Sequence, residues 1–283
     1  MLDLVLSEKW LGAPTRAPGS GALRVARIGA ASVVIEARAT SPLRWLTPRS
    51  HGGAAWVFAS TYGGGLVDGD AVAIDAVIGC DARAMLSTQA STKIYRSVRG
   101  TSLTFRATVE PGGTLVVLPD PTVCFAGSGH TQTQSVSLHQ GASLVCLDWM
   151  TSGRRARGER WAFRDYRSRL SIDYAGQLIC FDAMTLSSAE MPLADRFGRF
   201  DVFATLAIVG APLTQQWTQA IQIVTERPPA RQADRLVTAA PIGDVGALIR
   251  AAGRSVEDVG HALRRLLAFL PRVLGDDPWA RKW

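Results

Sequence analysis

The chain is poor in the residues that build closed metal sites and redox centres. Its four cysteines, Cys80, Cys124, Cys146 and Cys180, lie 44, 22 and 34 residues apart, and no CxxC occurs. Zinc-ribbon and thioredoxin-type chemistry is therefore excluded. Each cysteine follows or sits within an apolar strand-like run, so all four are expected to be buried, reduced thiols. Histidine is equally sparse. His51, His130, His139 and His261 are all more than four residues from one another, so no local ligand pair exists. Lysine is nearly missing: Lys9, Lys93 and Lys282 are the only three, and the net charge of +7 is carried by arginine. Arginine forks suit carboxylates and interfaces as well as phosphates, so this charge is weak support for nucleic-acid binding.

Long apolar runs are missing too. The uncharged stretch 202–225 is interrupted by Gly210, Pro212 and four glutamines, which excludes a membrane-spanning helix there. The start, MLDLVLSEKW, has Asp3 where an export signal needs bases. A cytoplasmic protein without membrane attachment is expected. No G-x-S-x-G nucleophile elbow and no P-loop lysine follow any glycine cluster.

What is present is a β-rich pattern. Hydrophobic residues make up 47% of 283 residues and charged ones 19%, enough for a substantial core. Residues 10–24 read as an irregular leading arm, 33–39 as a strand, 42–48 as a turn-bounded connection and 56–60 as a strand. An alternating strand then leads through a glycine turn into a nearly continuous apolar strand, four times over. The turn glycines are Gly79, Gly113, Gly141 and Gly176. Their unequal spacing argues against a strict solenoid. The expected fold is mainly β: stacked hairpins in an irregular β-helix or sandwich-like body over about 25–200, within a single domain of 1–283. A small α/β portion follows over about 201–283. There, 202–209 reads as a buried strand, and Leu213, Trp217, Ile221 and Val224 share a helical face. Arg231–Ala233 is a linker, and 235–240 with 245–251 form a hairpin. Ser255 caps a helix through Leu270 that Pro271 stops. Trp279 and Trp283 either fold back on the body or meet a partner.

Two places concentrate polar groups. The stretch TYGGGLVDGD, with Gly63, Gly64, Gly65 and Gly69, resembles a phosphate cradle in composition. A strand follows it instead of a helix whose N-terminus could hold an anion, so structural turn glycines are the better reading. A β-rich enzyme or binding protein for a phosphorylated small molecule, using the Gly63–Asp70 loop, is the alternative. The second place runs from Asp148 to Trp161, where two carboxylates and four arginines straddle a glycine-marked turn. A salt-bridged surface loop and the charged rim of an interface both fit it. Gly127–His130 reads as a flexible loop.

In order and spacing, GGGLVDGD, STQASTKIYRS, LPDPTVCF and SGRRARGERW resemble the UreD (UreH) family of urease accessory proteins. The residues carrying the likeness are the glycines above with Thr88, Gln89, Lys93, Tyr95, Arg96, Gly153, Arg154 and Gly158. One departure is Asp68, where the family pattern favours glycine; a Cβ there requires the turn to avoid the most strained angles. The resemblance implies a non-enzymatic maturation factor with a β-rich body. Such a factor binds UreF, recruits UreG through it, and docks on apo-urease. It implies no tightly bound cofactor and a transient nickel cargo passing through an internal tunnel. A transit path needs weak, replaceable ligands, and Asp68, Asp70, Asp120, Asp148 and Glu159 are the candidates. Asp70→Ala or Glu159→Ala is expected to leave folding and UreF binding intact while lowering the nickel content of co-expressed urease.

Overall fold

Two kinds of strand alternate along the body, and burial separates them. One kind hides every second side chain; the other hides nearly all of them. The structure, a computed structural model, describes residues 18–189, 191–226, 230 and 232–280. The described chain opens with β1 (Ser20–Ile28) and β2 (Ala31–Ala39), an antiparallel pair. It continues with a second antiparallel pair, β3 (Leu43–Leu46) and β4 (Ala55–Thr61).

Three coils follow, each made of one short strand and two long ones. The first holds β5 (Gly65–Leu66), β6 (Ala71–Ile78) and β7 (Arg83–Thr88). The second holds β8 (Lys93–Ile94), β9 (Thr101–Val109) and β10 (Thr114–Leu118). The third holds β11 (Thr122–Cys124), β12 (Gly129–Leu138) and β13 (Ser143–Thr151). Corresponding strands pair in parallel: β6, β9 and β12 in one sheet, β7, β10 and β13 in the other, and β5, β8 and β11 in a short third row. The outer sheet then takes β14 (Asp165–Tyr174), parallel to β12, and β15 (Gln177–Ser187), antiparallel to β14. After α1 (Leu193–Phe197), β16 (Val202–Val209) joins β13 in the central sheet. Helix α2 (Thr214–Thr225), the hairpin β17 (Arg235–Ile242) and β18 (Gly246–Gly253), and helices α3 (Val256–Leu266) and α4 (Leu270–Leu274) complete the described chain.

The two burial patterns follow from this layering. β6, β9 and β12 turn one face to the core and the other to solvent, so their apolar residues alternate. β7, β10 and β13 lie in a sheet covered on both faces, so they read as continuous apolar runs. One core lies between the sheets, with Ile74, Phe105 and Val136 meeting Leu86, Val117 and Leu144. A second lies on the opposite face of the central sheet. There Met85, Val116, Val145 and Leu206 pack with Val259, Leu263, Leu267 and Leu270 of the helical layer.

The mainly β class and the helices near the C-terminus are as expected, but the connections differ. The turns at Gly79, Gly113 and Gly141 join a strand of one sheet to a strand of the other, so the first three units are arches and not hairpins. Only the unit at Gly176 closes as a hairpin. An arch and a hairpin have the same side-chain alternation, which is why the pattern does not separate them. At the second arch Gly112 has φ +70° and would set a Cβ 2.1 Å from the Asp81 carboxylate.

Local boundaries also shift. Residues 20–24 belong to β1, and 43–46 to β3. Gly129 and His130 open β12 and are not a flexible loop. Leu213 sits in a 3-10 turn before α2. Ser255 does cap α3, accepting from the Asp258 amide at 3.0 Å, but α3 ends at Leu266. Pro271 falls inside the first turn of α4, where its missing N–H costs nothing. Cys80 is exposed at an arch, against the expectation for it, whereas Cys124, Cys146 and Cys180 are buried. Trp279 packs on the helical side of the core; Trp283 and Arg231 lie outside the described residues. No helix among the described residues is long and apolar enough to cross a membrane.

Leu144 is fully buried between the sheets, so Leu144→Ala is expected to cost about 3 kcal/mol. Ser255→Ala, which removes one cap, is expected to cost about 1 kcal/mol. Urea unfolding of both variants checks the ranking.

Candidate functional site

The short third row is where the sequence motifs meet. β5 brings the glycine stretch, β8 the STKIYRS segment and β11 the DPTVCF segment, and β11 also pairs with the end of β13 at Met150 and Thr151. Most of the motif residues have packing tasks there. Gly63 and Gly64 have positive φ, and a Cβ on Gly65 would stand 2.4 Å from the Lys93 carbonyl. Tyr95 meets Phe125 edge-on at 5.1 Å, and the Arg154 guanidinium lies 4.0 Å over the Phe125 ring. Arg96 packs beside Gly127, Gly153 approaches the Cys124 carbonyl, and Gly158 closes a 3-10 turn in the left-handed conformation. Gln89 accepts from the Ser60 hydroxyl at 2.6 Å.

The candidate acids divide into two groups. Asp68, Asp70 and Glu159 hold loops. Asp68 accepts from the Arg99 and Gly100 amides at 2.7 and 3.1 Å and pairs with the Arg99 side chain. Desolvation opposes its ionisation, but these bonds hold its carboxyl below the usual range. The positive φ in this turn falls on Gly69, and Asp68 is spared it. Asp70 accepts from the Val67 amide at 2.8 Å, and the Gly69 amide bonds the Gly100 carbonyl. The amides of Val67, Gly69 and Asp70 are thus engaged within the protein and not offered to a phosphate. Glu159 is gripped by both ends of the Arg154 guanidinium and accepts from the Ala126 amide at 3.1 Å. Arg154, first, and that amide hold its carboxyl down. Nearby, Arg155 and Arg160 bond the buried Asp201 at 2.5 and 2.6 Å, so much of the charged segment 148–161 is a salt-bridged loop fastened to the start of β16.

Asp120 and Asp148, by contrast, line one cavity of about 100 Å³ between the sheets, together with Thr88, His130, Gln132 and Gln134. Thr88 accepts from the Asp120 amide at 2.7 Å and donates to its carboxylate at 3.3 Å, which fixes the rotamer. Asp148 accepts from Ser168 at 2.8 Å. Burial, the largest effect, pushes its carboxyl up, and the Ser168 and Gln132 bonds act against it. Each acid is also shared with a neighbouring space. Asp148 lines a small pocket with Ser168 and Asp182, and Asp182 is paired with Arg250. Asp120 lines a cleft of about 270 Å³ under α3, with Trp149 and Trp279, and a more open one of about 470 Å³ with Ser91 and Arg254. Asp182, Asp148 and Asp120 therefore stand along a series of adjoining spaces. Sequence reasoning missed Asp182, whose alternating strand gave no sign of which face is inward.

Burial also pushes the Cys124 and Cys146 thiols up to about 12, so neither offers a thiolate at neutral pH. Among the described residues no three of His, Cys, Asp and Glu come together as a closed metal site. The site can offer a divalent cation single, weak oxygen or nitrogen donors in succession.

His130 is 2% exposed, and burial lowers its pKa from 6.5 to about 4. Between those values the unfolded chain takes up a proton that the native state refuses. Stability from this group is therefore complete above about pH 6.5 and falls as the pH drops towards 4, by on the order of 3 kcal/mol. Urea unfolding at pH 7.5 and 4.5 is expected to show this acid-side loss in the wild type and less of it in His130→Gln.

The chain matches the family model described as UreD urease accessory protein over residues 17–283. It is 48% identical to the urease accessory protein UreD of Sorangium cellulosum, covering 94% of this chain and 84% of that one. It is 41% identical to the protein of the same name from Anaeromyxobacter, over 93% and 89%. Urease accessory protein D of Oryza sativa subsp. indica is 31% identical, over 93% and 96%.

Proposed function

The chain belongs to the UreD family of urease accessory proteins, with a role in urease maturation, and we propose that it fills that role as a non-catalytic scaffold through which nickel passes. In this reading it joins UreF and UreG on apo-urease in the cytoplasm. Nickel is its cargo and not a resident cofactor. The observation that supports the reading is that Asp148 and Asp120 each line two neighbouring spaces, so that one carboxylate stands at the boundary of each pair.

The donor set suits transit. A cation entering a partly apolar interior must exchange water for ligands in steps, and each step must be weak enough to reverse. Carboxylates separated along the cavity, with hydroxyls and amides between them, meet that need. A closed site of three or four ligands would trap the ion. The raised pKa of Asp148 adds a physical handle: its burial makes the charge costly when the space is empty, and a bound divalent cation offsets that cost. Asp68, Asp70 and Glu159 are assigned to holding the loops at the end of the coil stack, because their oxygens are engaged by amides and guanidinium groups. Docking on partners is assigned to surface features: Tyr62, Val67 and Val98, large apolar side chains on the loops at that end, are 59, 54 and 86% exposed.

Co-expression with UreF, UreG and apo-urease tests the path. Asp148→Asn and Asp120→Asn are expected to co-purify with their partners while urease nickel falls several-fold. Asp70→Ala and Glu159→Ala, in the same experiment, are expected to leave nickel per folded scaffold near the wild-type level. Wild-type nickel in both interior variants sinks the reading, and loss confined to Asp70→Ala or Glu159→Ala moves the path to the loops.

A further inference from the structure

β12 carries an unusual inward face. His130, Gln132 and Gln134 point between the sheets and are 2, 6 and 5% exposed, before Val136 and Leu138 restore an apolar pattern. A buried imidazole or amide is costly unless it is bonded or serves a polar space. All three line the inner cavity. Alternate residues of a strand are about 6.6 Å apart, so they form a row of nitrogen and oxygen donors along one wall.

Hydrogen bonding determines which nitrogen of His130 is available. Thr101 Oγ1 lies 2.8 Å from His130 Nδ1 and 3.3 Å from the Gly129 carbonyl oxygen. A carbonyl only accepts. The arrangement that pairs each proton with an acceptor has the Thr101 hydroxyl donating to Gly129 and accepting from Nδ1–H. Nε2 is then left with its lone pair, and it has no hydrogen-bond partner among the described residues. Burial keeps the ring neutral at physiological pH, as a ligand requires. The Tyr166 ring, 5.9 Å away, further restricts its orientation. A histidine whose second nitrogen is tied to an oxygen is the usual form of a metal ligand, because the tie fixes tautomer and direction.

We infer that His130, presented through Thr101, is a nitrogen ligand in the inner cavity that favours late-transition divalent cations of the nickel class over magnesium and calcium. The inference deepens the transit reading and rests on it for the identity of the cargo. Its chemistry is independent: carboxylates, amides and water alone suit hard cations as well, whereas imidazole suits nickel, zinc and copper. Among the described residues no group of three His, Cys, Asp or Glu closes the site, and water completes the coordination.

The test uses the untagged full chain, titrated with NiCl2 and with MgCl2 by calorimetry, and X-ray absorption at the nickel edge. His51, His139 and His261 can also bind nickel, so the comparison between variants decides. The wild type is expected to bind nickel with an imidazole scattering signature. In His130→Gln that signature disappears and nickel affinity falls at least tenfold, with magnesium binding unchanged. Thr101→Val, which keeps the shape and frees Nδ1, is expected to lose about tenfold in nickel affinity while still folding, its thermal midpoint lowered only by the loss of one buried hydrogen bond. No nickel binding by the wild type, or an imidazole signature that survives in His130→Gln, overturns the inference. Should His130→Gln not fold, an unchanged nickel affinity in Thr101→Val overturns it. Nickel content of co-expressed urease separates the two levels. Binding lost in His130→Gln with normal urease nickel leaves the ligand standing and removes the transit path.

Discussion

Everything in this molecule depends on a parallel sheet that is dry on both faces. β7, β10 and β13 bury almost every side chain, and their backbone groups find partners in one another and in the flanking strands β4 and β16. One face is covered by the outer sheet, the other by the helical layer of α3 and α4. Removing either cover would expose a long apolar surface, so the helical portion is part of the same cooperative unit as the coils. β16 and β18 extend the central sheet itself, which ties the two portions through main-chain bonds as well.

The residues that identify the family are mostly part of this scaffold. Gly65, Tyr95, Arg154 and Gly153 hold the short third row together by close backbone approach, ring contact and a guanidinium stacked on Phe125. Their chemistry is that of packing around strands two or three residues long, which have little hydrogen bonding of their own. The groups that face the interior space are less conspicuous: single polar residues placed on otherwise ordinary strands.

The alternation in β6 and β9 and the unbroken runs in β10 and β13 were legible, and with them the mainly β class. Whether an alternating strand folds back beside its successor or crosses to another sheet was not. Both outcomes need a glycine-marked turn and the same period, and only pairing with strands some thirty residues away decides between them. Asp148 and Asp120 were recognised as acids next to turns, without any sign that they share a cavity. The row on β12 had a signal that went unread. In HTQTQS both faces of an alternating strand are polar, which is uneconomical for a strand with a buried side unless that side meets a polar space. Asp182 had no such signal; its place beside Asp148 is set by the register of β14 on β15.

The interior spaces draw on strands from β4 through β16, and so run along the direction in which the coils stack. Neighbouring strands stand about 4.8 Å apart in that direction. The parallel stack therefore has a length counted in whole coils, and a shorter or longer one is reached by deleting or duplicating a coil. The antiparallel addition of β16 to β13 ends the parallel series on that side. It acts as a stop on a ruler, making the length of the stack a property of topology that drift in individual side chains does not alter.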